Sequence, residues 1–221
     1  MGLGEETHIK KIILGVVGVL VLGIGGVFAA ASGQPDSVHL ERSISVAAQP
    51  GDMVAFGHDL VGVNKWSPWD EKDPNLVRAY SDSTSGVGAW YHWTGNDEVG
   101  EGKMTITAAS EGSCVMDLDF IAPFESHAVA AIKWAADGEG TKVTWGFDTD
   151  TNMMLKVMMV LGVMDFETQL GRDYEKGLAL LKPQVEQAAQ ERVAAEAAAA
   201  EAAANAAAEA AVEGEEAPAA E

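Results

Sequence analysis

The sequence predicts an α+β fold: a curved antiparallel sheet wrapped around a long C-terminal helix, preceded by one N-terminal transmembrane helix. Three observations predict it. Segments of alternating apolar and polar residues follow one another between Val38 and Phe147, separated by short turns rich in Gly, Asn and Asp. After Asn152 the apolar residues recur in steps of three and four instead. Before the first strand, Ile12 to Ala31 is a run of 20 uncharged, mostly apolar positions.

At about 1.5 Å per residue, a helix over residues 12–31 spans roughly 30 Å, the thickness of a bilayer's hydrocarbon core. Its glycines are tolerated in membrane spans. Lys10 and Lys11 precede the run and the next basic residue is Arg42. The positive-inside bias therefore places residues 1–11 as a short cytoplasmic N-terminus and the main domain outside the cytoplasm, periplasmic or at the cell surface. A cleaved signal peptide ending near Ala29–Ala31 is the rival reading, although a signal core is shorter than this run. Residues 32–37 (SGQPDS) form a turn-rich linker whose reach is about 20 Å at most, so the domain sits close to the membrane.

The middle domain, residues 38–183, opens with a strand over Val38–Val46. Pro50 starts a short helical stretch, a second helical piece follows, and Asn64–Asp70 (NKWSPWD) is a loop. Further strands cover Leu76–Tyr80, Gly86–Thr94, Gly102–Ala109, Cys114–Ile121, Glu125–Ala135 and Thr141–Phe147. Turns fall at Gly95–Asp97, Glu111–Gly112 and Asp137–Gly140. Sequential strands joined by short turns make an antiparallel meander with one buried face. From Asn152, a plausible N-cap, to Lys182 the apolar stripe Met159, Val163, Phe166, Leu170, Tyr174, Leu178 and Leu181 predicts one helix of about 30 residues. Pro183 marks its expected end.

Residues 184–221 hold 19 alanines and nine glutamates, with only valines as larger apolar residues. The segment predicts an acidic extension, helical or disordered, that contributes nothing to the core and frays over Gly214–Glu221. A spacer or a contact surface for a protein partner is its functional reading; low-complexity drift is the plainer one.

Composition excludes several function classes. The chain has 14 Lys+Arg against 34 Asp+Glu, a net charge of −20, which argues against nucleic-acid binding and against electrostatic docking on anionic lipid. A single cysteine excludes an internal disulfide and a Cys-based zinc site. No paired-histidine metal spacing, nucleophile elbow, phosphate loop or dinucleotide fingerprint occurs, so no cofactor, no metal and no catalytic residue is expected.

Five motifs occur in order along the middle domain: WSPW (Trp66–Trp69), GVGAWYHWTGN running into VGEGKMTI (Gly86–Ile106), F-x-x-P-F (Phe120–Phe124), GTKVTW (Gly140–Trp145) and G-x-D-Y-E-x-G-L-x-x-L-K (Gly171–Lys182). Together they resemble the START-like, or SRPBCC, superfamily, in its polyketide cyclase/dehydrase and lipid transport branch. The resemblance covers roughly residues 38–183. It implies the helix-grip fold, a seven-stranded sheet curled around the C-terminal helix with an apolar cavity between them. Members bind lipids, sterols, polyketides and other hydrophobic ligands, and some act as cyclases, aromatases or hydratases.

The candidate ligand-binding residues come from the aromatic and methionine content. All six tryptophans lie in the middle domain, and Trp suits pocket walls. Trp66 and Trp69 are either a cavity lid, a bilayer contact or a corner plug. Tyr91 and Trp93 share one strand parity and, by the resemblance, face inward. Met104, Met116, Phe120, Trp134 and Trp145 fall on the apolar faces of their strands. Five of nine methionines lie between Met153 and Met164, where the chain is apolar at nearly every position. Such a segment is wholly buried or faces something else apolar, which adds Met154, Met158 and Leu161 as cavity wall or mouth. His39, His58, His92 and His127 are scattered, Asp117 and Asp119 share the polar face of their strand, and Cys114 alternates inward.

These features predict a membrane-anchored domain that binds a hydrophobic or lipid-like small molecule between sheet and C-terminal helix, held in the membrane through residues 12–31 and binding no nucleic acid. A polyketide cyclase/dehydrase-like enzyme in the same cavity and a non-catalytic interaction or stress-response scaffold are the alternatives.

Overall fold

The structure is a computed structural model that describes residues 3–215; residues 216–221, including most of the expected fraying end, lie outside the described residues. Helix α1 (Leu3–Ser32) contains the apolar stretch Ile13–Ser32, 20 residues long and exposed except near its end. That stretch is long and apolar enough to cross a bilayer.

After the linker come β1 (Ser37–Val46), the short helices α2 (Val54–Gly57) and α3 (Leu60–Asn64), and six more strands. These are β2 (Val77–Tyr80), β3 (Trp90–Thr94), β4 (Glu101–Ser110), β5 (Ser113–Ala122), β6 (Ser126–Asp137) and β7 (Gly140–Asp150). Asp59 caps α3 by accepting from the Val61 amide. The seven strands form one antiparallel sheet in the order β1-β7-β6-β5-β4-β3-β2. The meander predicted from alternation is thus closed by β1, which pairs with β7 from Ser37 opposite Asp150 to Val46 opposite Thr141. Register shifts between β4 and β5 at Glu101/Gly102 and Ile106/Ala108 insert irregularities that increase local twist and help the sheet curl. Its inner face carries Leu40, Tyr91, Trp93, Met104, Ile106, Met116, Leu118, Ile132, Trp134, Val143, Trp145 and Phe147, all buried.

Two sequence expectations about the C-terminal half are corrected. The helix predicted over residues 152–182 is broken. Helix α4 (Met153–Val160), capped by the Asn152 side chain on the Leu155 amide, stops at Gly162, whose φ of +70° lies in the left-handed region that glycine adopts without strain. Asp165 then caps a π-helical turn (Phe166–Leu170) that leads into α5 (Gly171–Glu215). The first four methionines of the cluster therefore belong to a separate element, whose main packing partner is α1.

The second correction concerns Pro183, which does not end the helix: α5 runs through it for 45 residues. Pro183 and Ala179, one turn earlier, are both exposed, so the proline lies on the solvent side of the helix, where water can serve a carbonyl that loses its intrahelical donor. Beyond the proline, Val185 and Ala189 are buried in the main core, contrary to the expectation that this segment contributes nothing to it. Glu186 accepts from the Ala47 amide at 2.9 Å and Arg192 grips Asp52 at 2.7 and 3.2 Å, fastening these turns to the loop after β1.

Candidate ligand site

The helix docks through its own motif. Gly171 lies under the Arg42 guanidinium, where a Cβ would come within 2.4 Å of Nη2. Arg42 bonds Glu167 at 2.8 Å and Glu175 at 2.9 Å, and Lys72 bonds Asp173 at 2.7 Å. A Cβ on Gly177 would meet Trp145 at 2.7 Å, so this glycine lets α5 approach the sheet. Tyr174 stacks on Trp145 with centroids 3.8 Å apart and planes 10° from parallel. Leu178 and Leu181 fill the core below. The motif residues act in seating α5 on the sheet.

The same packing explains where the aromatic candidates sit. Trp145 is enclosed by Tyr174, by Trp66 at 4.8 Å and by Trp69 at 5.6 Å, both edge-on. Trp66 is fully buried and its indole N–H donates to the Phe56 carbonyl at 3.1 Å. Of the readings open for the Trp66–Trp69 loop, this geometry is the corner plug. Tyr91, Trp93 and Phe120 form a second chain of rings with Tyr80, at 5.7 to 5.9 Å spacings. Met104 and Met116 are buried in the sheet's inner face. Trp134 lies elsewhere, against His58 at 5.0 Å and beneath Gly57. Met158 is half-buried, whereas Met154 and Leu161 are exposed, because the break at Gly162 turns their element away from the sheet. The twelve candidates thus divide among an aromatic plug, a second ring cluster, two methionines of the sheet's inner face, an outlying Trp, and α4 with its C-terminal cap beside α1.

A cleft of about 360 Å³ opens where these elements meet the linker. Its apolar lining is Val38 and Leu40 from β1, Met159 and Met164 around the helix break, and Phe166 at the entry to α5. Phe166 is braced from below by Phe147 at 5.8 Å. Gln34, His39, Asp165 and Glu167 supply a polar rim. The volume is at the lower end of small-molecule sites. Asp165 is held below the ordinary carboxylate range, chiefly by the Thr168 backbone amide, and stays an anion at neutral pH. His39 bonds Asp148 at 2.6 Å, which raises its pKa. A second cavity, about 440 Å³, lies over Ser110, Lys133, Lys142 and Thr144 on the sheet's outer side.

The other titratable groups are placed as the alternation predicts. His92 pairs with Glu101 at 3.0 Å and His127 with Asp119 at 2.9 Å on the outer face. Cys114 is buried and its thiol is pushed up to about 11 by desolvation. Burial likewise pushes the Tyr91 phenol up to about 12. Among the described residues, the indole N–H groups of Trp134 and Trp145 and Nε of Arg78 are buried without a hydrogen-bond partner.

No protein-family model and no curated protein matches the chain. Solved structures do. The di-domain ARO/CYC protein BexL from the BE-7585A biosynthetic pathway superposes with a TM-score of 0.51 at 11% identity, over 81% of this chain and 60% of its own. An uncharacterized protein from Rhizobium leguminosarum superposes with a TM-score of 0.50 at 13% identity, over 68% of this chain and 95% of its own. The fold is the START-like helix-grip fold. At these identities the likeness concerns fold alone.

The sequence places Met159 and Met164 in the methionine cluster expected to form a cavity wall or mouth, but the site residues expected from it are Met154 and Met158; Phe166 is expected on the helix stripe and Leu40 is not expected at a site. Two signals were available: Gly162 and Asp165 are a stop and a start within an apparently continuous stripe. The partnership of Leu40 with Phe166 had none, because it depends on β1 pairing with β7.

Proposed function

We propose that this chain is a membrane-anchored START-like domain, its N-terminus cytoplasmic and its main domain extracytoplasmic, that binds a hydrophobic or lipid-like small molecule. The observation that carries the reading is the position of the apolar cleft: it opens between β1 and the entry to α5, beside the foot of the apolar helix α1. An apolar ligand leaving the bilayer there stays close to apolar surface. Burying roughly 150 Å² of ligand surface contributes about 4 kcal/mol at 25 cal/mol per Å². The rim groups Gln34, His39 and Asp165 would orient a polar head by hydrogen bonds.

A photoactivatable fatty acid bearing a diazirine near its chain end tests this with the full chain in lipid nanodiscs. Labelling is expected at Leu40, Met159 or Phe166, competed by unlabelled lipid and lost in Phe166→Asp. Labelling confined to α1 would refute the site.

A further inference from the structure

From the placement of α4 we infer that Met153–Met164 is a second membrane contact, a short apolar element lying in the bilayer interface beside the point where α1 emerges. The inference rests on reading α1 as a membrane span and goes beyond it.

The segment reads MMLKVMMVLGVM, with Lys156 its single charged residue. Lys156 is buried and bonds Asp36 of the linker at 2.5 Å, so its charge is answered within the protein. The apolar side chains are not: Met153 is 44% exposed, Met154 56%, Leu161 59% and Val163 59%. These large apolar groups stay open to the surroundings, although the same chain buries Met104 and Met116 in the sheet's inner face.

What covers it follows from its neighbours. Helix α4 packs against α1. Within Ile13–Ser32, burial falls on Ala31, with Val27 half-buried, while the preceding turns are exposed. The contact is therefore at the end of the span, the depth of the lipid headgroups and upper acyl chains. The Thr151 amide bonds the Asp36 carbonyl at 2.8 Å and its hydroxyl bonds the Pro35 carbonyl, tying the start of α4 to the linker. The sheet presents the same end to the membrane. Ser37 of β1 lies opposite Asp150, and β6 begins beside the end of β7. The β5–β6 turn consequently points the same way, and it carries exposed Phe124. An interfacial helix with an apolar face and little charge inserts by the hydrophobic effect rather than by attraction to anionic lipid. That agrees with a chain of net charge −20.

The test uses the full chain in phosphatidylcholine nanodiscs. Buried Cys114 leaves an added cysteine as the reactive thiol. Met154→Cys and Leu161→Cys, each carrying an environment-sensitive fluorophore, are compared with Leu20→Cys in the span and Glu139→Cys in the β6–β7 turn at the far end. Lipids bearing a nitroxide near the headgroup or deep in the chain act as quenchers. The expected result is several-fold stronger quenching at Met154→Cys and Leu161→Cys than at Glu139→Cys, strongest with the shallow nitroxide, and quenching of Leu20→Cys strongest with the deep one. If Leu20→Cys is quenched while Met154→Cys and Leu161→Cys behave like Glu139→Cys, the proposal is overturned and the span stands. If Leu20→Cys is itself unquenched, the span reading fails and the proposal with it.

Discussion

Replacing Gly177 by alanine sets two opposed effects against each other on one methyl group. In a helix interior, Gly→Ala stabilises by about 1 kcal/mol through backbone entropy. Here the new Cβ would stand 2.7 Å from Trp145 Cζ3 and 3.3 Å from Pro68 Cδ. Carbon atoms prefer about 3.5 Å or more, so the ring or the helix must yield by about 0.8 Å. The ring has nowhere to go, since Trp66, Trp69 and Tyr174 close its other sides. Overpacking of this kind costs about 1–3 kcal/mol. The net expectation for Gly177→Ala is a destabilisation of about 1 kcal/mol, a fall of about 2–4 °C in melting temperature. In a Trp145→Phe background the obstructing indole atoms are gone and only the milder 3.3 Å contact with Pro68 remains, so the same substitution should raise the melting temperature instead. A double-mutant cycle on the full chain in mild detergent, followed by intrinsic fluorescence on heating, reads the coupling. If Gly177→Ala raised the melting temperature equally in both backgrounds, α5 would not be seated on Trp145 and the account of the aromatic plug would be refuted.

Three other outcomes follow from the same contacts. Ending the chain after Pro183 removes buried Val185 and Ala189 and should lower the melting temperature by several degrees, whereas ending it after Glu201 should leave it unchanged, as thermal unfolding will show. Arg192→Ala should destabilise at neutral pH. Asp52 is held below its ordinary range chiefly by its hydrogen bond to Arg192, so that contribution is present above the unfolded-state pKa and lost as pH falls through the folded one. The difference between Arg192→Ala and the parent chain should therefore shrink below about pH 4 in denaturant titrations. Arg42→Ala removes the ion pairs to Glu167 and Glu175 and the bond to the Glu167 carbonyl, and should raise hydrogen exchange over Phe166–Leu170 before it affects the sheet.

The sheet was legible because alternation is a local signal. Met104 and Ile106, Met116 and Leu118, and Val143 and Trp145 all lie on the inner face where the period of two puts them. The helical half was less legible. An apolar stripe of steps three and four continues across Gly162 and Asp165 without a gap, so periodicity alone joins two elements that geometry separates. Pro183 misled in the other direction, because its cost depends on whether the freed carbonyl meets water, a tertiary fact. The site was the least legible. Trp66 and Trp145 have the composition of a pocket wall and the geometry of a packed core, and no sequence pattern distinguishes the two. The cleft itself joins Leu40 to Phe166 across more than half of the folded domain.

The central claim is that the cleft beside α1 holds an apolar molecule. The most direct measurement is native mass spectrometry of the full chain, released from nanodiscs prepared with lipids of its expression host, beside Leu40→Asp and Phe166→Asp variants of matched melting temperature. The account predicts a reproducible mass adduct on the parent chain, identifiable as a lipid-like molecule on extraction and absent from both variants. A parent chain without adduct, or an adduct retained by both variants, would contradict it.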